Sequence, residues 1–567
     1  MNLNTELQKN NAYDAIVVGT GISGGWAAKE LTEKGLKTLV LERGRLVKHP
    51  EYPTATLDPW QLVNNDRPTQ EDLKQQGVQN RTGYTVKQST KHWFVNDLEN
   101  PYTETKRFDW MRGYHVGGRS ITWGRQSYRL GDMDFGANAK DGIAVDWPVR
   151  YNEISPWYDY VEQYIGVSGS IEGLPQLPDG KFLPPMDLTC VETDFKKSLK
   201  DKFGRALTIG RTAHLTAPLA HSPQRGTCQF RNLCSRGCPY GAYFSSLSST
   251  LVAAEKTGNM TLRPNSIVME LMYDAKKGKA TGVKIQDAET GEQTEYYANV
   301  IFLCASTFGS TQIMLNSISD RFPTGFGNDS DQLGRNVMDH HLNAGANGEI
   351  PGYEDKYLSG RRANGFYIPR FRNVGTDKRD YLRGFGYQGG GTRQGWQHVI
   401  AELSLGKELK ETITTPGMWQ LGMGGFGELL PYSDNRVTLN KEKKDKYGLS
   451  TLTFDVELKE NEYKMRKDMV NDAVEMLEAY GAKNIKTNDN PGGPGLGIHE
   501  MGTARMGKDP KTSVLNKYNQ VHACKNVFVT DGSFMTSAAC VNPSLTYMAF
   551  TARAVDYAVS EMKKGNI

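Results

Sequence analysis

The pattern of apolar and polar residues predicts a strand, a helix and a second strand at the start of the chain. Residues 13–18 (YDAIVV) and 38–41 (TLVL) are short apolar runs typical of buried parallel strands. Residues 24–33, which lie between them, have the period of a helix. We therefore expect residues 13–42 to form a βαβ unit, whose usual size is about 30 residues.

The same junction, a strand that leads into a helix, recurs twice further along the chain. Residues 265–305 alternate as three short strands and lead into a helix that begins near Gly309. Residues 526–531 predict a strand, and residues 543–562 predict the closing helix. The stretch 345–495 lies between these junctions, and its many glycine and aromatic residues predict a mostly antiparallel sheet.

This recurrence predicts an α/β fold, α+β overall, in which a discontinuous Rossmann-like domain binds a cofactor. The insertions would then build a substrate domain with a mostly antiparallel β-sheet and helices. The predicted boundaries in chain order are 1–165 for the first part of the cofactor domain, 166–225 for the substrate domain, 226–344 for the cofactor domain with a cysteine cluster, 345–494 for the substrate domain again, and 495–567 for the cofactor domain with the catalytic residues.

Length and charge agree with a large two-domain protein and exclude several other classes. The chain has 567 residues, more than the roughly 250–300 at which a single core stops growing. Its 68 Lys and Arg and 64 Asp and Glu give a net charge of +4, so nucleic acid is not an expected partner. No run of about 18 apolar residues predicts a membrane span. Residues 1–14 are polar and predict no export signal.

The glycines after the first predicted strand have the spacing of a dinucleotide-binding turn. Gly19, Gly21 and Gly24 form Gly-x-Gly-x-x-Gly between strand and helix. The first glycine permits the sharp turn, the second lets a pyrophosphate approach, and the third lets the helix pack on the strand. Glu42 ends the second strand, where an acid accepts hydrogen bonds from the ribose. These features predict a dinucleotide site and leave both FAD and NAD open.

Further motifs follow in a fixed order and identify a family resemblance. They are Gly117-Gly118-Arg119-Ser120, Trp147-Pro148, Gly334-Arg335-Asn336, Asp339-His340, the segment 499–503 (HEMGT), the segment 529–533 (VTDGS) and the segment 542–546 (NPSLT). By these motifs the chain resembles the glucose–methanol–choline (GMC) oxidoreductases along nearly its whole length. Because these enzymes bind FAD, the resemblance implies FAD rather than NAD.

The resemblance also implies which residues bind FAD. Val268 would meet adenine through its backbone, and Asp531 would anchor the middle of the cofactor. Residues implied at the pyrophosphate and the isoalloxazine ring are Gly117, Gly118 and Ser120, and the remaining FAD-binding residues are Thr122, Asn542 and Thr546.

Two departures from the family pattern affect the expected site. Ser306 stands after the strand at 300–304, where the family often has glycine, so the local turn is in question. Residues 121–123 (ITW) contain no histidine to which flavin attaches in related pyranose oxidases. We therefore expect non-covalent FAD.

Two residues near the end of the chain are predicted to carry the catalysis. His499 in His-x-x-Gly-Thr matches the GMC base, and imidazole suits a proton step near neutral pH. Asn542 matches the second family position, which hydrogen-bonds the substrate hydroxyl. Because Asn542 precedes Pro543, a helix N-cap is its structural alternative. For His340 and His341 we expect structural roles.

Three of the seven cysteines, Cys228, Cys234 and Cys238, lie within eleven residues. Three close thiols are what an iron–sulfur cluster needs. Free structural cysteines, and a zinc site with His221 or a distant residue as a fourth ligand, are the alternatives. The segment also resembles FAD-dependent glucose dehydrogenase catalytic subunits of the GMC family, which implies a three-iron four-sulfur cluster. For the other cysteines, Cys190, Cys304, Cys524 and Cys540, we expect structural roles.

The resemblance implies an FAD-dependent sugar dehydrogenase that oxidises a secondary hydroxyl of a pyranose or glucoside, with C3 favoured. Gluconate 2-dehydrogenase and glucose 1-dehydrogenase are the near alternatives. A GMC oxidase that uses oxygen and a non-enzymatic FAD-binding protein are the more distant ones. Trp396 and Trp419 are candidates for stacking on a sugar ring, with a core position as the alternative.

The resemblance also implies partners and a location. Electrons would pass through the cluster to an external acceptor such as a cytochrome c. The resembled enzymes act with a small subunit that can carry an export signal. We therefore expect a periplasmic location through co-export with such a subunit, and a cytoplasmic location is the alternative.

Overall fold

The computed structural model describes residues 11–358, 362–393 and 405–567. In these ranges the strands are β1 Ala12–Val18, β2 Thr38–Leu41, β3 Thr103–Glu104, β4 Thr208–Ile209, β5 Met260–Arg263, β6 Ser266–Asp274, β7 Lys279–Asp287, β8 Gln293–Leu303, β9 His340–His341, β10 Ala344–Ile350, β11 Phe366–Ile368, β12 Phe385–Arg393, β13 Trp419–Glu428, β14 Arg436–Lys444, β15 Ser450–Asp455, β16 Lys483–Asp489, β17 Gln520–Val521 and β18 Cys524–Val529. The helices are α1 Ile22–Glu33, α2 Gln70–Gln75, α3 Asp132–Phe135, α4 Ala137–Asp141, α5 Tyr151–Ile165, α6 Cys190–Phe203, α7 Thr250–Lys256, α8 Thr307–Asn316, α9 Gly406–Thr414, α10 Glu460–Tyr480 and α11 Ser544–Lys563.

The first sheet is assembled from the beginning, the middle and the end of the chain. Its strand order is β17-β18-β8-β1-β2-β5, and the five strands from β18 to β5 run parallel. Apolar side chains of α1 and α11, such as Leu31 and Val555, are buried in one core with residues of these strands. The predicted α/β class, the βαβ unit and the discontinuous Rossmann-like sheet are confirmed. The exact domain boundaries stay a prediction.

The second sheet lies in the insertions and is antiparallel throughout. Its strand order is β16-β10-β13-β12-β11-β4, with β9 paired to β13. Helices α6 and α10 cover one face, and their residues share a core with the strands. Gly425 of β13 lies under α10, and a Cβ atom there would come 2.4 Å from Cγ of Met469. Part of the glycine content of this region therefore lets the helix approach the sheet.

Two features of the insertions differ from the prediction. Strands β14 and β15 leave the large sheet and form a separate three-stranded sheet with β3. Helix α10 also lies within the stretch 345–495, for which the pattern predicted a mostly antiparallel sheet. Of the candidate stacking residues, Trp419 is a core residue of the sheet, and Trp396 lies outside the described residues.

None of the helices among the described residues combines the length and apolar character that crossing a lipid bilayer requires. This agrees with the sequence, which contains no long apolar run.

Candidate active site

A cavity of about 440 Å³ lies at the carboxyl ends of the parallel strands β1, β2, β8 and β18. This edge is where open α/β sheets bind their ligands. The predicted site residues that line the cavity are Gly19, Gly21, Glu42, Gly118, Ser120, Thr122, Val268, Asp531, His499 and Asn542. Gly24, Gly117 and Thr546 do not line the cavity, and the Thr546 hydroxyl is 2.7 Å from the hydroxyl of Tyr158.

The three glycines of the first turn have three different surroundings. Gly19 has a φ of +100°, and a Cβ atom there would come 2.5 Å from the carbonyl oxygen of Cys304. A Cβ atom on Gly24 would come 1.9 Å from the carbonyl oxygen of Gly19, so only glycine lets α1 pack here. A Cβ atom on Gly21 would meet no protein atom within 4 Å. Gly21 is also the N-cap of α1 and makes no side-chain cap, so the first N–H groups of the helix are available to an anion.

Glu42 is buried at the cavity wall and is hydrogen-bonded to the glycine turn. Its Oε2 accepts from the backbone N–H of Thr20 at 3.2 Å and from the Thr20 hydroxyl at 2.5 Å. Its Oε1 accepts from the backbone N–H of Gly44 at 3.0 Å. Burial raises the pKa of the Glu42 carboxyl. Glu42 thus supports the turn in addition to the ribose contact that its position predicts.

A serine that the sequence analysis did not single out joins the two glycine segments. The Ser246 hydroxyl donates to the backbone carbonyl of Thr20 at 2.8 Å and lies 3.0 Å from the hydroxyl of Ser120. The Ser120 hydroxyl donates to the carbonyl of Gly117 at 2.6 Å. The Gly117 N–H in turn donates to the Thr20 hydroxyl at 2.9 Å. The only signal for Ser246 in the sequence is that it lies in a serine-rich segment, residues 245–249 (SSLSS).

The strand-to-helix junction at β8 and α8 supplies the middle of the cavity. Ser306 precedes α8 with φ +73° and ψ 162°, a conformation almost confined to glycine. The turn after β8 therefore has the conformation that the family's glycine would adopt, and Ser306 adopts it with a backbone strain of about 1–3 kcal/mol. Asp531 follows β18 and accepts from the Ser533 hydroxyl at 2.6 Å and from the hydroxyl of Ser310. Val268 lines the cavity from β6, which pairs with β7.

His499 and His340 form a hydrogen-bonded pair whose polarity follows from a third group. His340 Nε2 lies 3.0 Å from the carbonyl oxygen of Ala539, which only accepts, so this nitrogen carries a proton. Burial lowers the pKa of His340 to about 3, so its ring is neutral and its Nδ1 is an acceptor. Nδ1 of His499 lies 3.2 Å from Nδ1 of His340 and is therefore the donor of this hydrogen bond. The remaining nitrogen, Nε2 of His499, presents its lone pair.

The environment of His499 keeps its ring neutral. Burial, His340 and the guanidinium of Arg119 lower the pKa of His499 well below its usual value. Arg119 forms a bidentate ion pair with Glu500, with N···O distances of 3.0 and 2.7 Å. A neutral imidazole with an unprotonated Nε2 is what a general base requires.

The Asp339 carboxylate fixes the backbone of the loop that carries His499. It accepts from the backbone N–H groups of Gly495, Gly497 and His499 at 2.8, 3.0 and 3.0 Å. Asp339, His340 and His499 lie close enough to share one ion, but their donor atoms are engaged in these hydrogen bonds. The cluster therefore holds the base in place. The structural role expected for His340 is therefore to support His499, which it contacts directly.

Asn542 does not cap the last helix. α11 begins at Ser544, its N-cap is Pro543, and no side chain caps it. The Asn542 Nδ2 atom instead lies 3.4 Å from Nε2 of His499, and its Oδ1 accepts from Nε2 of Gln388 at 2.7 Å. The alternative that Asn542 is the N-cap of this helix is thus wrong. Its side chain contacts His499, next to which the family resemblance places it.

Polar side chains continue the cavity wall beyond the His499–Asn542 pair. They are Gln126, Asn364 and Gln388, accompanied by Trp123 and Arg125. The Asn364 amide donates to the hydroxyl of Thr212 at 2.7 Å, and Gln126 Oε1 accepts from the hydroxyl of Tyr128 at 2.7 Å. None of these residues was predicted, because amides scattered over distant segments have no sequence signature.

The three clustered cysteines line a second, smaller cavity. Cys228, Cys234 and Cys238 are half-buried and unpaired, and all three border this cavity. The loop around it contains Phe230 and Asn232 with positive φ values of 52° and 55°. Within the described residues, the three sulfurs do not all come within 4.8 Å of one another, the separation that one shared ion requires.

The prediction that His221 could be the fourth ligand of a zinc site is wrong. His221 lies elsewhere, with Nε2 2.9 Å from the carbonyl of Tyr164. His214 borders the cysteine cavity instead, with Nε2 3.7 Å from Sγ of Cys234. Its Nδ1 is 2.9 Å from the Thr212 hydroxyl. The remaining cysteines line neither cavity except Cys304, which touches the main one.

Comparisons with known proteins agree with the geometry. Two family models described as GMC oxidoreductase match residues 210–342 and 431–551. The chain is 28% identical to a 2-methyl-1,2-propanediol dehydrogenase from Mycolicibacterium austroafricanum over 96% of this chain and 94% of that one. It is 26% identical to a fructose dehydrogenase large subunit from Gluconobacter japonicus over 97% and 98%.

The fold also matches a solved structure. Pyridoxine 4-oxidase from Mesorbium loti superposes with a TM-score of 0.59 at 16% identity, over 96% of this chain and 99% of that one. The likeness extends over the cofactor domain and the insertions together.

Proposed function

This chain belongs to the GMC oxidoreductases, FAD-dependent enzymes that act on alcohol and sugar CH–OH groups, and we propose that it is a sugar dehydrogenase. The proposed substrate is a pyranose or glucoside, and the proposed product is the keto sugar formed at a secondary hydroxyl, with C3 favoured. The amide-lined end of the main cavity carries this proposal.

Polyhydroxylated substrates need several hydrogen-bonding groups beside an apolar face. Gln126, Asn364 and Gln388 supply amides that both donate and accept, and Trp123 supplies an aromatic face. All four lie in the cavity wall that also contains His499 and Asn542. The amide atoms that are not used in the protein's own hydrogen bonds can bind sugar hydroxyls, and an enzyme specific for a simple alcohol would bury them without a partner, at a cost in free energy.

The residues present fit FAD and divide the oxidation between them. Gly21 and the start of α1 offer an open, electropositive position for the pyrophosphate. When bound, FAD supplies the acceptor of a hydride from the carbinol carbon. Nε2 of His499 takes the hydroxyl proton, and the amide N–H of Asn542 donates to the oxygen as it becomes carbonyl.

Anaerobic mixing with methyl glucoside, glucose and gluconate tests this proposal. We expect methyl glucoside to bleach the flavin absorbance, and we expect nuclear magnetic resonance of the product to show a 3-keto sugar. Propanediol serves as the comparison alcohol, since it cannot engage all the amides. Rapid bleaching by propanediol and none by any pyranose would overturn the sugar assignment.

We also propose that Cys228, Cys234 and Cys238 hold a three-iron four-sulfur cluster that passes electrons to an external acceptor. When bound, the cluster supplies one-electron transfer. The wall between the two cavities supports this role. The hydroxyl of Tyr243, whose ring borders the cysteine cavity, donates to the carbonyl of Ile121, next to Thr122 in the main cavity. The same hydroxyl is 3.4 Å from the carbonyl oxygen of Cys234.

Replacing one clustered cysteine separates the two half-reactions. Cys234→Ser should lose iron and acid-labile sulfide and should fail to reduce cytochrome c, because a three-iron cluster needs three thiolates. Flavin bleaching by sugar should persist, since Cys234 lies outside the main cavity. Cys190→Ser, half-buried at the start of α6, is the matched control. Full cytochrome reduction without iron would refute the cluster.

The proposed acceptor is a cytochrome c, and the proposed assembly contains a small subunit that carries the export signal. The relative from Gluconobacter japonicus is a large subunit by name, which supports an assembly of this kind. Co-export with such a subunit would place the enzyme in the periplasm. Co-purification of the natively expressed chain from periplasmic and cytoplasmic fractions tests both points.

A further inference from the structure

Gln388 lies on the substrate side of the antiparallel sheet and touches the proposed catalytic pair. It projects from β12, where it pairs with Gly424 of β13. At Gly424 a Cβ atom would meet no protein atom within 4 Å. The neighbouring strand position therefore leaves space around Gln388, whose amide reaches Asn542.

The direction of the hydrogen bond decides how Asn542 is oriented. Nε2 of Gln388 donates to Oδ1 of Asn542 at 2.7 Å. With its oxygen engaged in this way, the Asn542 amide presents its N–H groups toward Nε2 of His499, 3.4 Å away. The proton of the neutral His499 ring is on Nδ1, which donates a hydrogen bond to His340, so Nε2 of His499 is an acceptor. Every donor in the series thus faces an acceptor.

We infer that Gln388 is a positioning residue that fixes the amide of Asn542 as a hydrogen-bond donor to the substrate oxygen. The inference rests on the proposed function for its kinetic consequence, but the amide orientation itself does not. An Asn542 amide turned by 180° would present its oxygen to the substrate hydroxyl. That oxygen would compete with His499 for the hydroxyl proton and would repel the oxygen as negative charge develops on it.

Two substitutions separate this role from mere packing. Gln388→Met keeps the length of the side chain and removes the donor. Gln388→Glu keeps the shape more closely but places an acceptor beside Oδ1 of Asn542, which favours the turned amide. If Gln388 only packs, the glutamate variant should be the less harmful one. If it sets the polarity of Asn542, the glutamate variant should be the more harmful one.

The kinetic measurement is the limiting rate of flavin reduction under anaerobic conditions, with FAD content and melting temperature recorded for each variant. We expect about a 10-fold loss for Gln388→Met and a larger loss for Gln388→Glu, with the KM for sugar changed less than the rate. In an Asn542→Ala background neither substitution should lower the limiting rate further, because Gln388 acts on this rate through Asn542. Equal losses in both backgrounds would overturn the inference.

Gln420 supplies the matched control. It pairs with Thr392 in the same two strands, four residues or roughly 13 Å along the ladder from Gln388. Gln420→Met and Gln420→Glu should leave the limiting rate unchanged.

A measurement that does not depend on turnover tests the orientation directly. In protein labelled with ¹⁵N-asparagine, the side-chain amide signals of Asn542 are identified by their loss in Asn542→Ala. We expect Gln388→Glu to shift these signals and Gln420→Glu to leave them in place. Absence of a shift would refute the inference. Absence of flavin reduction by any sugar in the unaltered protein would refute the proposed function alone.

Discussion

His499→Ala is expected to retain FAD and to lose flavin reduction by sugar, with a fall in the limiting rate of about 10²- to 10⁴-fold. The reason is that Nε2 of His499 presents the neutral lone pair beside Asn542 in the main cavity. FAD should stay bound because the glycine turn, Glu42 and Asp531 make no hydrogen bond to His499 in this structure. The measurement is anaerobic stopped-flow bleaching of the flavin.

His522→Ala is the control for this experiment, because His522 bonds Ser513 at 3.0 Å and does not line the main cavity. Unchanged bleaching in His499→Ala would remove this residue from the proton step. The pH dependence gives a second check. The pKa of His499 is lowered by burial, by His340 and by Arg119, which is paired with Glu500. The side-chain carboxylate of Asp339 faces the same loop and accepts from the backbone N–H of His499.

A lowered pKa keeps the base neutral at lower pH, so the sign of the expected effect is clear. The rate of flavin reduction should stay constant from neutral pH down past about 6.5, the ordinary pKa of histidine, and fall only below it. A fall in the rate of flavin reduction whose midpoint lies above pH 6.5 would contradict the environment described for His499.

The sequence was sufficient for the elements that depend on local pattern. The strand, turn and helix of residues 12–33 follow from an apolar run, a fixed glycine spacing and a helical period. Each of these signals depends on residues that are close together in the sequence. The meander β6–β8 and the closing helix follow for the same reason. His499 and Asn542 could be found because their motifs are short and contiguous.

What the sequence did not predict depends on contacts between distant segments. Gln388 lies in a glycine-rich strand, and its role is visible only when Asn542, 154 positions away, is placed beside it. The pairing of β15 with β3 depends on a tertiary contact between residues about 350 positions apart. His340 looked structural because a buried histidine usually is, and only the carbonyl of Ala539 reveals the polarity of its hydrogen bonds.

Gly21→Val is expected to yield a folded protein that lacks FAD. A Cβ atom on Gly21 meets no protein atom within 4 Å, and its backbone does not adopt a positive φ, so the fold can accept a side chain. The same open space is where the pyrophosphate approaches the start of α1. The measurement is the flavin absorbance per chain after purification, together with far-ultraviolet circular dichroism.

Two other glycine substitutions show why this effect should be specific. Gly24→Val places a Cβ atom 1.9 Å from the carbonyl oxygen of Gly19, so it should prevent folding of the turn itself. Gly124→Val also points into open space, but Gly124 lies next to Trp123 at the amide-lined end, so FAD should remain and sugar binding should weaken. Normal FAD content in Gly21→Val would mean that the pyrophosphate does not pass over Gly21. The assignment of the first turn to the cofactor would then fail, although the βαβ unit would stand.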